Sequence, residues 1–106
     1  MVHNTVLCKS RHLIKINHTN TIVEDYIFEE VCNLNIRELE YKALLYLNSL
    51  KCMYRGSQIK LNLYVTGFTP ALVSFINMRN SIHPHLPLVV WHFDNKTRLY
   101  IPQEVL

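Results

Sequence analysis

Cysteine and glycine are scarce in this chain, and their scarcity excludes several classes of protein. It has three cysteines and two glycines among 106 residues. Cys8, Cys32 and Cys52 form no CxxC pair and are odd in number, so neither a disulfide framework nor a zinc site is indicated. Unpaired cysteines suit a reducing compartment. We therefore expect a cytoplasmic protein that needs no metal and no other cofactor.

Long apolar runs and extreme charge are also missing. No stretch approaches the roughly 20 apolar residues of a membrane span, and residues 1–4 lack the basic start of a signal peptide. The formal net charge of +3 suits an anionic small ligand or a short nucleic acid, but not a DNA or RNA duplex. Because 49% of the residues are hydrophobic, the chain is expected to form one compact domain over residues 1–106.

Hydrophobic periodicity predicts alternating strands and helices. Helices are expected at residues 35–50 and 69–80, and strands at residues 5–8, 26–31, 59–65, 88–91 and 98–101. Strand and loop patterns are nearly balanced over residues 13–31. The predicted fold class is α/β: a small Rossmann-like, mostly parallel sheet with helices on both faces and a C-terminal antiparallel hairpin, ended by Pro102.

Capping residues mark the start of both helices. Asn35 is the expected N-cap of the first helix, with Glu38 at the capping-box position. Thr69 is the expected N-cap of the second, where Pro70 suits the first helical position. The second helix is apolar around most of its circumference, so we expect it to be largely buried. The first carries one apolar stripe, formed by Ile36, Leu39, Ala43, Leu44, Leu47 and Leu50.

The most informative junction joins the strand at residues 59–65 to the second helix. Gly67 permits a positive φ or a close approach to the backbone. The helix start offers backbone N–H groups and the positive end of a dipole, which attract anions, and Thr66 and Thr69 add hydroxyls. Many α/β units use such a turn only as a connection. The pattern therefore leaves an anion site and a plain turn both open.

A second candidate cluster, Ser10-Arg11-His12, follows the first strand. Ligands bind at the carboxyl ends of strands in parallel sheets, so this cluster is expected at the same edge as the glycine turn, with residues 92–94 nearby. Arg11 suits phosphate, and His12 suits proton transfer. A solvated loop is the alternative. The His83 and His85 pair has no accompanying carboxylate or cysteine, so no metal site is predicted.

The run of residues 63–72, LYVTGFTPAL, resembles the strand–TGxT–helix element of CRISPR-associated Rossmann-fold (CARF) domains. It also resembles small ring-nuclease-like proteins encoded beside type III CRISPR systems. Ser10-Arg11-His12 is similar in position to the second ligand-contacting loop of those domains, and residues 88–105 resemble the end of such ancillary proteins. Phe68 replaces the second glycine of the commoner TGGTK pattern. Pro70 stands at its lysine, which removes a cationic phosphate contact.

The resemblance implies a symmetric homodimer that binds cyclic oligoadenylate in type III CRISPR signalling. Some such proteins also open the ring as metal-independent ring nucleases, and His12 would then be the acid or base. Whether this chain cleaves the ring, and the size of that ring, are left open. Two alternatives remain: a non-enzymatic interaction module that uses its edge strand, and a sensor or sponge for another phosphate ligand. The implied ligand-binding residues are Ser10, Arg11, Thr66, Gly67, Phe68 and Thr69.

Overall fold

The computed structural model describes residues 1–10, 12–29 and 34–106. In these ranges the strands form one sheet in the order β2-β1-β3-β4-β5. The first four strands in that order run parallel, and β5 is antiparallel to β4. The elements along the chain are β1 (Val2–Cys8), β2 (Tyr26–Phe28), α1 (Ile36–Met53), β3 (Lys60–Tyr64), α2 (Thr69–Ile82), β4 (Leu88–Asp94) and β5 (Leu99–Val105).

The α/β class, the mostly parallel sheet and the C-terminal antiparallel hairpin are thus confirmed. The expectation of helices on both faces is wrong for the described residues. Both helices pack against each other and share one core with Leu7 of β1 and Leu63 of β3. Because side chains alternate across a strand, these residues all lie on one face of the sheet.

The opposite face is covered by residues 12–23, which we call the strap. Ile14 and Val23 of the strap pack against Val6 and Tyr64, the sheet residues that point away from the helices. The strap folds back on itself through a bridge between Lys15 and Ile22. Its few apolar residues lack the spacing of an amphipathic helix, which is why the β1–β2 connection covers this face as an extended loop.

Helix α1 largely follows its sequence pattern. The side-chain oxygen of Asn35 accepts a hydrogen bond from the Glu38 N–H at 3.2 Å, which confirms the predicted N-cap. Leu39, Ala43, Leu47 and Leu50 are buried as expected. The predicted stripe is wrong at its first position, because Ile36 stays 47% exposed at the start of the helix. The predicted boundary also falls short, since α1 continues to Met53.

Helix α2 and strand β5 differ from the prediction at both ends: α2 continues to Ile82 rather than ending at residue 80, and β5 begins at Leu99 rather than at residue 98. The N-cap of α2 is Phe68 rather than Thr69, because the Phe68 carbonyl accepts the first amides of the helix, from Ala71 and Leu72. Strand β5 does not end at Pro102 but continues through it to Val105. A proline is tolerated there because β5 lies at the edge of the sheet, where a missing N–H breaks no ladder bond.

Candidate functional site

The carboxyl ends of β1, β3 and β4 meet at one edge of the sheet. Val6 pairs with Tyr64, and Tyr64 pairs with Trp91, so the residues that follow each strand lie side by side. This arrangement brings Ser10 and Thr66 to the same edge, as the sequence predicted. Both residues line a groove of about 740 Å³ between the strap and the β4–β5 hairpin.

The Thr66 hydroxyl is engaged within the protein. It donates a hydrogen bond to the Cys8 carbonyl at 2.7 Å and accepts one from the Cys8 N–H at 3.0 Å. The side chain therefore continues the β1–β3 pairing one step beyond the backbone ladder. Burial meanwhile raises the pKa of the Cys8 thiol to about 11, so Cys8 stays protonated at neutral pH. The expected ligand contact through the Thr66 hydroxyl is not favoured by this geometry.

The glycine turn offers fewer free amides than its sequence suggests. Gly67 adopts a φ of +56°, one of the two roles that its sequence context left open, but the turn it allows directs the Phe68 N–H to the Thr66 carbonyl at 3.0 Å. This is a three-residue γ-turn. Pro70 has no N–H, and Ala71 donates to the Phe68 carbonyl. In the described part of the chain, the amides of Gly67 and Thr69 remain without a protein acceptor at this turn.

The other predicted site residues are partly brought together. Ser10 and His12 are both exposed and both line the groove, and the Ser10 side-chain oxygen accepts a hydrogen bond from the His12 N–H at 3.1 Å. Phe68 lies beside Thr66 and Gly67 in a neighbouring depression. Thr69 is exposed at the start of α2. Arg11 lies outside the described residues.

The groove is lined by cations and aromatic rings. Lys15 of the strap and Arg98 of the hairpin supply positive charge, and no Asp or Glu lines the groove in the described ranges. Imidazoles add further polar groups from the strap. The lining residues that carry charge, imidazole or an aromatic ring are His12, Lys15, His18, Phe93, Arg98 and Tyr100.

Asn17 fixes the strap to the hairpin across this groove. Its side-chain amide donates to the Tyr100 carbonyl at 2.8 Å, and its side-chain oxygen accepts from the Tyr100 N–H at 3.0 Å. These two bonds reproduce the pairing that a neighbouring strand would make with Tyr100. Asn17, which lines the groove, therefore ties the strap to the hairpin and occupies part of the open edge of β5.

A chain of aromatic rings leads from the core into the groove. Trp91 stacks on Tyr64 with 5.7 Å between ring centroids, Tyr64 meets Tyr100 edge to face at 5.1 Å, and Tyr100 meets Phe93 at 5.3 Å. Tyr64 is 2% exposed and Phe93 is 44% exposed. Burial raises the pKa of Tyr64 and Tyr100, so both hydroxyls stay protonated at neutral pH. The outermost ring, Phe93, is thus held by a packed series of neighbours.

Sequence reasoning expected residues 92–94 near this edge without singling out Phe93, and it did not place Lys15, Arg98 or Tyr100 in a site. Phe93 and Tyr100 are cross-strand partners, and a predicted hairpin at residues 94–97 was a usable signal that they would share a face. No sequence signal placed Lys15 and Arg98 in one groove, because the strap meets the hairpin through tertiary contacts such as those of Asn17 with Tyr100.

A second cluster of titratable side chains lies near the start of β1. His3 contacts the Tyr54 hydroxyl at 2.7 Å and Asp25 at 2.8 Å, and the Tyr46 hydroxyl donates to the same Asp25 oxygen at 2.6 Å. Burial, and then the bond to Asp25, raise the pKa of Tyr46. The groove and the depressions beside Tyr26, Ser57 and Phe68 are not lined by His3, Tyr46 or Tyr54. The cluster therefore serves to fasten α1 to β1 and the start of β2.

The described part of the chain shows neither a metal-binding cluster nor a membrane-spanning helix. Over residues 1–10, 12–29 and 34–106, no group of three or more His, Cys, Asp or Glu side chains is placed to hold a metal ion. His83 and His85 flank a depression beside Ser57, away from the groove. Neither helix of the described chain combines the length and apolar character that a membrane crossing needs.

Comparison of the chain with protein-family models, with curated proteins and with solved structures finds no match. The likeness to CARF domains therefore remains an expectation from residues 63–72 and from the order of elements.

Proposed function

We propose that the chain binds an anionic nucleotide in the groove between the strap and the hairpin, with cyclic oligoadenylate as the expected member of that class. The observation that carries the proposal is the lining: Lys15 and Arg98 with two imidazoles and, among the described residues, no carboxylate. An Arg fork and a Lys ammonium favour phosphate. The groove also lies at the carboxyl edge, where α/β sheets bind ligands.

The size of the groove bears on how a ring would bind. Small-ligand sites measure roughly 300–1,000 Å³, and this groove, at about 740 Å³, suits a nucleotide unit rather than a whole cyclic oligonucleotide. A ring would therefore be shared between the grooves of two copies, which supports the proposal of a symmetric homodimer. The free amides of Gly67 and Thr69 are secondary phosphate donors at the rim.

Ring opening is the second part of the proposal. A ribose 2′-hydroxyl attacks the adjacent phosphorus, the P–O5′ bond breaks, and the products carry a 2′,3′-cyclic phosphate and a 5′-hydroxyl. The proton lost by the attacking hydroxyl is balanced by one gained by the leaving oxygen. Such a step depends on positioning and charge stabilisation and needs no metal. His12, exposed at the groove, is the proposed acid or base.

Calorimetric titration with cyclic tri-, tetra- and hexa-adenylate tests the binding. Arg98→Ala should weaken binding by about 1–3 kcal/mol, because a charge-assisted phosphate contact is lost. Lys96→Ala is the matched control: it removes the same charge from the same hairpin, but Lys96 does not line the groove. Equal losses in the two variants, or no binding of any ring to the wild-type chain, would contradict the proposal.

Product analysis on the same samples tests the turnover. Chromatography of each ring after incubation with the protein and EDTA should show linear products, and His12→Ala should suppress them while binding persists. Binding without products would leave a sensor or sponge, and would reject the nuclease part alone.

Strand pairing through the β5 edge is not favoured as an alternative function. The Tyr100 groups that point away from β4 are occupied by Asn17. Pro102, two residues further along, points the same way and has no N–H to donate. An edge so interrupted is protected against pairing with another chain.

A further inference from the structure

We infer that Phe93 is the surface on which a nucleobase stacks, so that a ligand of the groove must carry an aromatic base as well as phosphate. This inference rests on the proposed function and names the part of the ligand that the protein reads. An exposed phenylalanine by itself needs no explanation. The side chains around Phe93 are what favour a stacking role for this one.

The ring of Phe93 is preorganised. Tyr100, its cross-strand partner, meets it edge to face with an interplanar angle of 66°, and Tyr100 is itself held at 82° against the buried Tyr64. Two of the three rings are thus fixed by packing before any ligand arrives. The entropic cost of ordering the Phe93 side chain when a base stacks on it is therefore small.

The cationic partner for such a base lies in the same groove. Arg98 is one of two described non-glycine residues with a positive φ, at +59°, and it lines the groove together with Phe93. A guanidinium and a phenyl ring in one groove match the phosphate and the base of one nucleotide. Tyr26, by contrast, already has the Lys9 ammonium over its ring, at 5.4 Å from the centroid, and does not line this groove.

The test compares two probes that share a triphosphate: ATP, which adds an adenosine with its aromatic base, and inorganic tripolyphosphate, which has neither base nor sugar. The fluorescence of Trp91, which is the one tryptophan of the chain and lies two residues from Phe93, reports binding, and calorimetry checks it. We expect the wild-type chain to bind ATP about tenfold or more tightly than tripolyphosphate, the scale of one base–aromatic stack. Equal affinities would overturn the inference without any variant.

Two variants locate the effect. Phe93→Leu keeps an apolar side chain without a ring, and it should weaken ATP binding to the level of tripolyphosphate while leaving tripolyphosphate binding unchanged. Phe93→Trp keeps a ring and should preserve the preference for ATP. If Phe93→Leu weakens both probes equally, or neither, Phe93 is not the stacking surface. If the wild-type chain binds neither probe and no cyclic oligoadenylate, the proposed function fails and this inference with it.

Discussion

At the scale of single residues, Arg98 combines two opposing requirements. Its φ of +59° lies in the left-handed region, which costs a non-glycine residue roughly 1–2 kcal/mol. The hairpin imposes this conformation, because the Arg98 N–H donates to the Asp94 carbonyl at 2.8 Å to close the turn. Glycine would meet that backbone demand better. The presence of arginine is explained if its charge serves the groove.

Arg98→Gly should therefore separate stability from binding. Removing the side chain relieves the backbone strain, so the free energy of unfolding should stay unchanged or rise by up to about 1 kcal/mol, since glycine also gains freedom in the unfolded chain. The affinity for nucleotide should fall as in Arg98→Ala. Urea denaturation and titration on the same samples measure both. A variant that loses stability, or that keeps its full affinity, would show that Arg98 has been assigned the wrong role.

At the scale of elements, the strap is the part of the fold that builds the groove. Three backbone hydrogen bonds fold the strap back on itself: Ile16 N–H to the Thr21 carbonyl at 3.0 Å, Thr19 N–H to the Ile16 carbonyl at 3.1 Å, and Val23 N–H to the Ile14 carbonyl at 2.8 Å. Asn17 then fastens that loop to β5. The strap thus replaces a helix as the cover of this sheet face, and it leaves the carboxyl edge open between itself and the hairpin.

Asn17→Ala should loosen this attachment. The change removes both bonds to Tyr100, at an expected cost of about 1–3 kcal/mol in the free energy of unfolding, and hydrogen exchange at the Tyr100 amide should accelerate. Asn20→Ala is the control, because Asn20 is exposed in the same strap and its side chain makes no hydrogen bond within the described structure. If the two variants unfold at the same urea concentration, Asn17 does not hold the strap.

At the scale of the whole molecule, the sequence predicted what local pattern determines. Helix α1 could be read from its apolar spacing and the Asn35 cap, and β3 and β4 from their apolar runs, because these signals lie within a few residues of each other. The cover of the second sheet face could not be read. It depends on contacts such as Asn17 to Tyr100, which join residues 83 positions apart, and no local pattern records them.

The candidate site, like the fold, could be predicted only in part from the sequence. The glycine turn located the correct edge of the sheet, because a strand followed by a helix fixes where a loop must lie. The Thr66 hydroxyl nevertheless donates to the Cys8 carbonyl, and the Phe68 N–H donates to the Thr66 carbonyl, so neither group faces the groove as a free donor. The backbone conformation of a short turn decides which of its groups face solvent. The sequence shows only that Gly67 permits a positive φ there, not which groups then point outward.

The most direct measurement is a map of where a nucleotide binds. Two-dimensional ¹H–¹⁵N spectra of the protein would be recorded during titration with ATP and with cyclic tetra-adenylate. We predict that the perturbed amides cluster at residues 12–19 and 93–100, and that residues 57–59 and 83–87, around the depression that holds His83 and His85, stay unchanged. Unperturbed spectra, or shifts centred on that second depression, would contradict the account.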